Sequence, residues 1–378
     1  MGLLVDFRVG VRQVTKRLAE AAGLLWMCLG IARVVQTICV VDPVTVDFHG
    51  FYASGFVART GQLWAGDPPY PNFNSPVFAD LLAPLSLLPI ASAWWIWTLA
   101  GALSLTLTLW TLWRAGLIRT AQWPWVIGAL GLCQPAIQTW WHGQVTWLLL
   151  YPITRAWLSR SAIISGLWLA PVIALKPPLA LIAVLLPLRT ALTAAAVSAA
   201  ISLTDAALFG FQRWWQWVAD ALGATGLREP ANASYFGVAS RLQFGWSEAT
   251  VSLADVSVWW WMGWGCLGAL AVWLAIGAQT PLRRWIVALS AGTFLQPLGW
   301  TYYIVWWLGP MLAVWRTTPV SIASVVLLTE PVLILTAVTT SRMPALNLLA
   351  LSQCAIGLVT LAATLYTESG QRRASPQE

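Results

Sequence analysis

Charge is scarce in this 378-residue chain: Asp, Glu, Lys and Arg make up 9% of it, against 58% hydrophobic residues. That balance excludes an ordinary soluble domain and points to the membrane class. Histidine occurs only at His49 and His142, and lysine only at Lys16 and Lys176. The five cysteines, Cys28, Cys39, Cys133, Cys266 and Cys354, fall in apolar stretches with no CxxC-type spacing, so no thiolate metal site and no disulfide framework is expected. The signatures HExxH, GxxxxGKS/T and GxSxG are missing, which leaves zinc-protease, nucleotide-hydrolase and serine-hydrolase chemistry without support. The net charge of +7 is scattered over short connections rather than gathered in a stripe, so nucleic acid is not an expected partner.

What the chain has in abundance is apolar length. Residues 21–41, 92–113, 252–277, 319–341 and 345–366 each reach the roughly 20 residues that cross a ~30 Å hydrocarbon core. Residues 76–113 would be ~57 Å long as one straight helix, so this stretch, broken by Pro84 and Pro89, must bend or cross twice. Further apolar segments lie at 123–139, 144–159, 161–188, 190–210, 285–298 and 300–315. The expected fold is all-α: a polytopic transmembrane helix bundle of about 12 spans with its short basic loops on the cytoplasmic side. Residues 1–20 form a basic cytoplasmic segment leading into an uncleaved first helix, 21–366 the membrane domain, and 367–378 a cytoplasmic polar tail. On this topology the loops 42–75 and 211–250, the turn at Trp140–Gln144, Lys176 and the turn at Pro297–Tyr303 all face outward. The 28 tryptophans, clustered as at Trp94, Trp95 and Trp97, read as interfacial anchors, although a sugar or lipid groove uses the same residue.

The first outward loop carries the best candidate for chemistry. Asp42 reads as a boundary charge, whereas Asp47 opens an amphipathic segment with Phe48, Phe51, Tyr52 and Phe56, at a junction of water and hydrocarbon that suits a general base. His49 and His142 are candidates for acid/base work or substrate contact, against the commoner role of a hydrogen-bonding structural histidine. Lys176 precedes Pro177-Pro178, where a broken helix leaves backbone groups free. A cation there snorkels, pairs or meets an anion, so phosphate binding stands beside snorkelling. Arg241, with Asn232 and Ser234, forms a second polar cluster. Asp80, Asp205, Glu330 and Arg33 are expected to be structural, with Arg33 pairing Asp80.

Taken in order, VDFHGFYASG, PPYPNFNSPVFADLLAPLSLLP, QPAIQTWWHGQVTWLLL, ALKPPLALIAVLLPLR and QPLGWTYYIVWWLGP resemble glycosyltransferase family 87 of the GT-C superfamily, polyprenol-phosphate-mannose-dependent membrane enzymes. The resemblance implies a GT-C-like bundle with external juxtamembrane helices; the absence of retention signals and the compact loops favour a bacterial plasma membrane. It implies transfer of a sugar, mannose by analogy, from a polyprenyl-phosphate donor to a glycan or glycolipid acceptor hydroxyl, with no metal or other cofactor. Asp47 becomes the loop carboxylate and base of an inverting displacement, with His49 beside it. Lys176 and Arg241 would meet the donor phosphate. Tyr52, Trp141, His142, Gln144, Asn232, Trp300, Tyr302 and Tyr303 would line the substrate site. Where some members carry a histidine in the segment matching GWTYY, this chain has Tyr302 and Tyr303, and a tyrosine is a poor base near neutral pH. A secondary transporter or lipid flippase is the rival reading, since transporters too use broken helices; no internal repeat of the kind they show is evident. A catalytically inactive envelope scaffold is a third.

Overall fold

The computed structural model describes residues 2–61, 72–223, 227, 232, 234–244 and 251–315. The expected spans 319–341 and 345–366, the tail, Glu330, Cys354 and the middle of the first loop lie outside these residues. Among the described residues the protein is all-α, with fifteen α-helices, six short 3-10 segments and one isolated bridge between Asn232 and Trp300.

A long first helix, α1 (Gly2–Val40), is followed by α2 (Asp47–Thr60), α3 (Pro76–Leu82) and α4 (Ile90–Arg114). Then come the short helices α5 (Trp123–Leu132), α6 (Gln134–His142), α7 (Thr146–Leu158), α8 (Ala162–Leu175) and α9 (Ala180–Val184). The remainder comprises α10 (Leu188–Phe209), α11 (Phe211–Leu222), α12 (Tyr235–Phe244), α13 (Val258–Ile276), α14 (Pro281–Phe294) and α15 (Leu308–Trp315).

Among the described residues four helices are long and apolar enough to cross a membrane: Gln13–Val40 within α1, then α4, α10 and α13. Their outer faces expose leucine, isoleucine and tryptophan, as at Leu99, Leu103, Leu192 and Trp273, which is the pattern of helices solvated by lipid. Together they make a multi-pass membrane protein. Twelve crossings are not shown. Proline punctuation divides the other apolar stretches: residues 76–113 become α3, a 3-10 turn at Leu85–Leu87 and α4, and residues 161–188 become α8 and α9 with a break at Lys176. The expected outward loop at 211–250 holds two helices, α11 and α12.

Two contacts explain the packing around the site. Gly30 of α1 lies against Gly128 and Gly131 of α5, and a Cβ on any of the three would meet the opposing backbone, so glycine alone permits this approach. The break between α5 and α6 frees the Leu132 carbonyl, which accepts from Arg33 Nη1 at 2.7 Å, while Nη2 donates to Gln134 Oε1 at 3.0 Å. The expected Arg33–Asp80 pair is therefore not formed. Arg33 serves the α5–α6 break, and Asp80 on α3 takes a bidentate bond from Arg213 at 3.0 and 3.1 Å, because α3 packs against α10 and α11. One large apolar core, rich in Trp94, Trp97, Trp147, Trp306 and Trp307, runs beneath the start of α2 and the 301–307 segment.

Candidate active site

Asp47 occupies the first turn of α2, where the helix dipole favours a carboxylate. The turn before it is held by Asp42, whose Oδ1 accepts from Val44 N at 3.1 Å. His49 shares in the same fastening, its Nδ1 lying 3.0 Å from Val44 O. His49 is thus turned to the 43–45 turn.

The partners of Asp47 come from the end of α6. That helix stops at His142 because Gly143 adopts φ +63°, and Gln144 N returns to Thr139 O at 3.0 Å. A side chain at 143 would strike Trp94 and Phe48, and Trp97 Nε1 donates to the Gly143 carbonyl at 2.7 Å. The glycine thereby lets α6 press on the start of α2. In consequence Gln144 Nε2 donates a hydrogen bond to Asp47 Oδ2, and His142 Nδ1 stands 3.6 Å from Asp47 Oδ1. Buried His142 Nδ1 has no hydrogen-bond partner among the described residues.

Lys176 arrives from another direction. Pro177 drives the residue before it out of the helical region, and Lys176 has φ −137° and ψ 80°. Pro178 has no N–H to give the Ala174 carbonyl, which instead accepts from Ser75 Oγ at 2.5 Å, while Leu175 O accepts from Ser75 N at 3.1 Å. These two bonds carry Asn74 to the break, where its Oδ1 accepts from Lys176 Nζ at 3.3 Å. The ammonium also lies 4.9 Å over the Tyr303 ring. Burial lowers the Lys176 pKa to about 8, against a raising effect from the Asp47 charge, so the carboxylate acts on Lys176 without an ion pair to it.

Tyr302 and Tyr303 close the group from the 301–307 segment, which Trp306 anchors through Nε1 to Thr146 O at 3.1 Å. Tyr302 stacks on Trp300 at 6.1 Å and faces the His142 ring at 6.2 Å. The chain folds to bring together Asp47, His142, Gln144, Lys176, Trp300, Tyr302 and Tyr303. Asn74, buried and held by Asn72 Oδ1, is the member that sequence reasoning missed; its signal was its place in PNFNSP, directly before the serine that ties to the broken helix.

The remaining candidates lie apart from this group. Tyr52 donates through its hydroxyl to Leu88 O at 2.7 Å, buttressing the turn between α3 and α4. Trp141 is exposed at the end of α6. Asn232, fully buried, donates to Leu227 O and Pro297 O and accepts from Ser234 N and Gly299 N. Arg241 is 3% exposed and donates from Nη1 to Asn232 O at 3.0 Å, inside the same clamp. That clamp positions the Trp300 turn, where it meets the Asp47 group.

The carboxylate, the amide bonded to it and the cation held nearby are groups able to accept a proton and to stabilise an anion. The model of Glycosyltransferase family 87 matches residues 72–298, well over half of the chain. The chain belongs to this family. It is accordingly a membrane glycosyltransferase, with a sugar donor and an acceptor as its partners, which favours the transferase over the transporter reading. Neither the curated proteins nor the solved structures contain a match. Within family 87 the matched region takes in Asn74, His142, Gln144 and Lys176, while Asp47 precedes it and Tyr302 and Tyr303 follow it.

Proposed function

We propose that this family 87 member transfers a sugar, mannose by family analogy, from a polyprenyl phosphate to an acceptor hydroxyl at the outer face of a plasma membrane. The observation that carries the reading is the convergence of Asp47 and Lys176, one acidic and one basic, from helices α2 and α8 on one polar cluster in an otherwise apolar core. In the proposed step the acceptor oxygen attacks the anomeric carbon as Asp47 takes the hydroxyl proton. The bond from that carbon to the phosphate oxygen breaks, and the lipid phosphate leaves with the electron pair, inverting the centre. Gln144 holds one carboxylate oxygen and leaves the other facing His142. Lys176 uses one of its three N–H groups on Asn74 and offers the others to the phosphate. Trp300 and Tyr302 form a stacked aromatic wall for the sugar. Arg241 supports this wall through Asn232. The topology that goes with this reading has about twelve crossings, both chain ends cytoplasmic and the site outside.

The test is incubation of the purified, lipid-reconstituted protein with radiolabelled polyprenyl-phosphate-mannose and candidate acceptors. Label in the acceptor, lost in Asp47→Asn with unchanged thermal unfolding, is the expected result. Full turnover by Asp47→Asn would overturn the assignment of the base, and turnover confined to another sugar would overturn mannose.

A further inference from the structure

Helix α11, FQRWWQWVADAL, serves no part of the transfer step, yet ten of its twelve residues fall into three sectors. At about 100° per residue, Arg213, Trp214, Trp217 and Ala221 fall on one flank, and these are its half-buried positions. Their polar atoms are all turned to the protein: Arg213 grips both oxygens of Asp80, Trp214 Nε1 donates to Asp205 Oδ2 at 2.9 Å, and Trp217 Nε1 donates to Phe73 O at 3.3 Å. Gln212, Gln216 and Asp220 share a second, exposed polar sector. Phe211, Trp215 and Val218 occupy the third, with Phe211 56% and Trp215 74% exposed.

An apolar strip and a polar strip on separate sides of a helix whose third side packs on the protein are the arrangement of a helix lying in a membrane interface. The neighbouring surface identifies the occupant. Helix α10 is long and apolar enough to cross the bilayer and ends in Leu208 and Phe209, 71% and 52% exposed. Gly210, at φ +103° and with open space where a Cβ would be, then turns the chain directly into Phe211. The exposed apolar end of α10 is thus joined through a single residue to the apolar sector of α11.

We propose that α11 lies on the bilayer surface with Phe211, Trp215 and Val218 in the lipid, and that its Trp217–Phe73 bond sets the level of the neighbouring Asn74–Lys176 pair relative to the headgroups. The first half stands on α11 alone. The second rests on the polyprenyl-phosphate reading above, since it means that a phosphate carried by a lipid meets Lys176 at headgroup depth.

The test uses the full chain in nanodiscs of phosphatidylethanolamine and phosphatidylglycerol, with its native cysteines replaced. Spin labels are placed singly at Trp215→Cys, Val218→Cys, Gln216→Cys and Asp220→Cys, with Leu103→Cys on α4 as the lipid reference. Labels at 215 and 218 should collide with oxygen several-fold more than with a water-soluble nickel chelate, as at 103, and labels at 216 and 220 should show the reverse. Equal nickel access at all four positions, or shielding of 215 and 218 from both probes by a partner protein or by another part of the chain, overturns the proposal. The coupling is read in Trp215→Glu. Its KM for a long-chain donor should rise about tenfold while that for a water-soluble short-chain donor stays unchanged. An equal change in both sinks the coupling. If the unmutated protein transfers no sugar from either donor, the donor reading and the coupling fall together while the spin-label result for α11 stands.

Discussion

The clamp around Asn232 and the group around Asp47 meet at the turn carrying Trp300, but they use their polar atoms in opposite ways. Asn232 spends its whole side-chain capacity on four backbone groups of its own protein. In the Asp47 group, by contrast, among the described residues one carboxylate oxygen is bonded, the imidazole nearby is too far for a hydrogen bond at 3.6 Å, and the ammonium has one polar partner. Buried polar groups in a scaffold are satisfied internally. Groups held in place with valence to spare are arranged for something that arrives from outside. The contrast therefore sets a cluster that holds the structure beside the one we propose receives substrate, and it can be broken residue by residue.

The largest effect is expected at Asp47. Asp47→Asn keeps the shape but removes the base, and kcat should fall by about 10²–10⁴-fold with the unfolding temperature unchanged. Asn232→Ala should do the converse. Two buried N–H groups and the Leu227 carbonyl lose their partner, a cost on the order of 2–5 kcal/mol, seen as early thermal unfolding, with whatever folded fraction remains still binding donor. A stable Asn232→Ala protein lacking only turnover would erase the distinction between the two clusters.

Lys176 comes next. Removing a preorganised cation from the leaving phosphate should lower kcat about 10²–10³-fold in Lys176→Ala. Its lowered pKa adds a sign. Because burial pulls the group to about 8, the charged form that meets phosphate is complete below that pH and is lost above it. The kcat/KM profile for donor should fall as pH rises through about 8, while Lys176→Arg, slower but permanently charged, should show no such alkaline limb. A limb that persists in Lys176→Arg would assign the titration to another group.

The parts of this arrangement that were legible in the sequence were those written as local exceptions. A lysine in an apolar run before two prolines, a carboxylate opening an aromatic helix and a glycine after a histidine each mark a place where the chain departs from a continuous span. Long, uniform stretches such as α10 and α13 were legible for the same reason that they are simple: length and hydropathy decide them. What the sequence did not disclose is which exceptions meet. The Arg33–Asp80 expectation followed from charge economy alone, whereas the break at Cys133 supplied Arg33 with a carbonyl and the packing of α11 on α3 supplied Asp80 with Arg213. Asn74 was invisible because an uncharged amide in a polar loop carries no signal until Ser75 is known to bind the carbonyls freed near Pro177 and Pro178. The clamp role of Asn232 likewise depends on a contact 65 residues away.

Gln144 and Tyr52 sharpen the comparison at its smaller end. Gln144 touches the carboxylate but no step passes through it. Losing a hydrogen bond to a charged group costs about 1.5–3 kcal/mol, so Gln144→Ala should lower kcat about 10- to 100-fold, and Gln144→Glu, which sets a second carboxylate against the first, should lower it more. Tyr52 is the control for the opposite case. It sits five residues from Asp47 on the same helix, and position alone made it a candidate for the substrate site. Its ring lies in the core against Phe48 at 6.4 Å, and its hydroxyl is committed to Leu88 O. Tyr52→Phe keeps the ring and removes the hydroxyl with its bonds to Leu88 O and, at 3.5 Å, Ser86 O, so stability should drop by about 0.5–1.5 kcal/mol with KM for donor and acceptor unmoved. If KM rises instead, the hydroxyl reaches substrate, and the boundary between the two kinds of cluster must be redrawn to run through α2 itself.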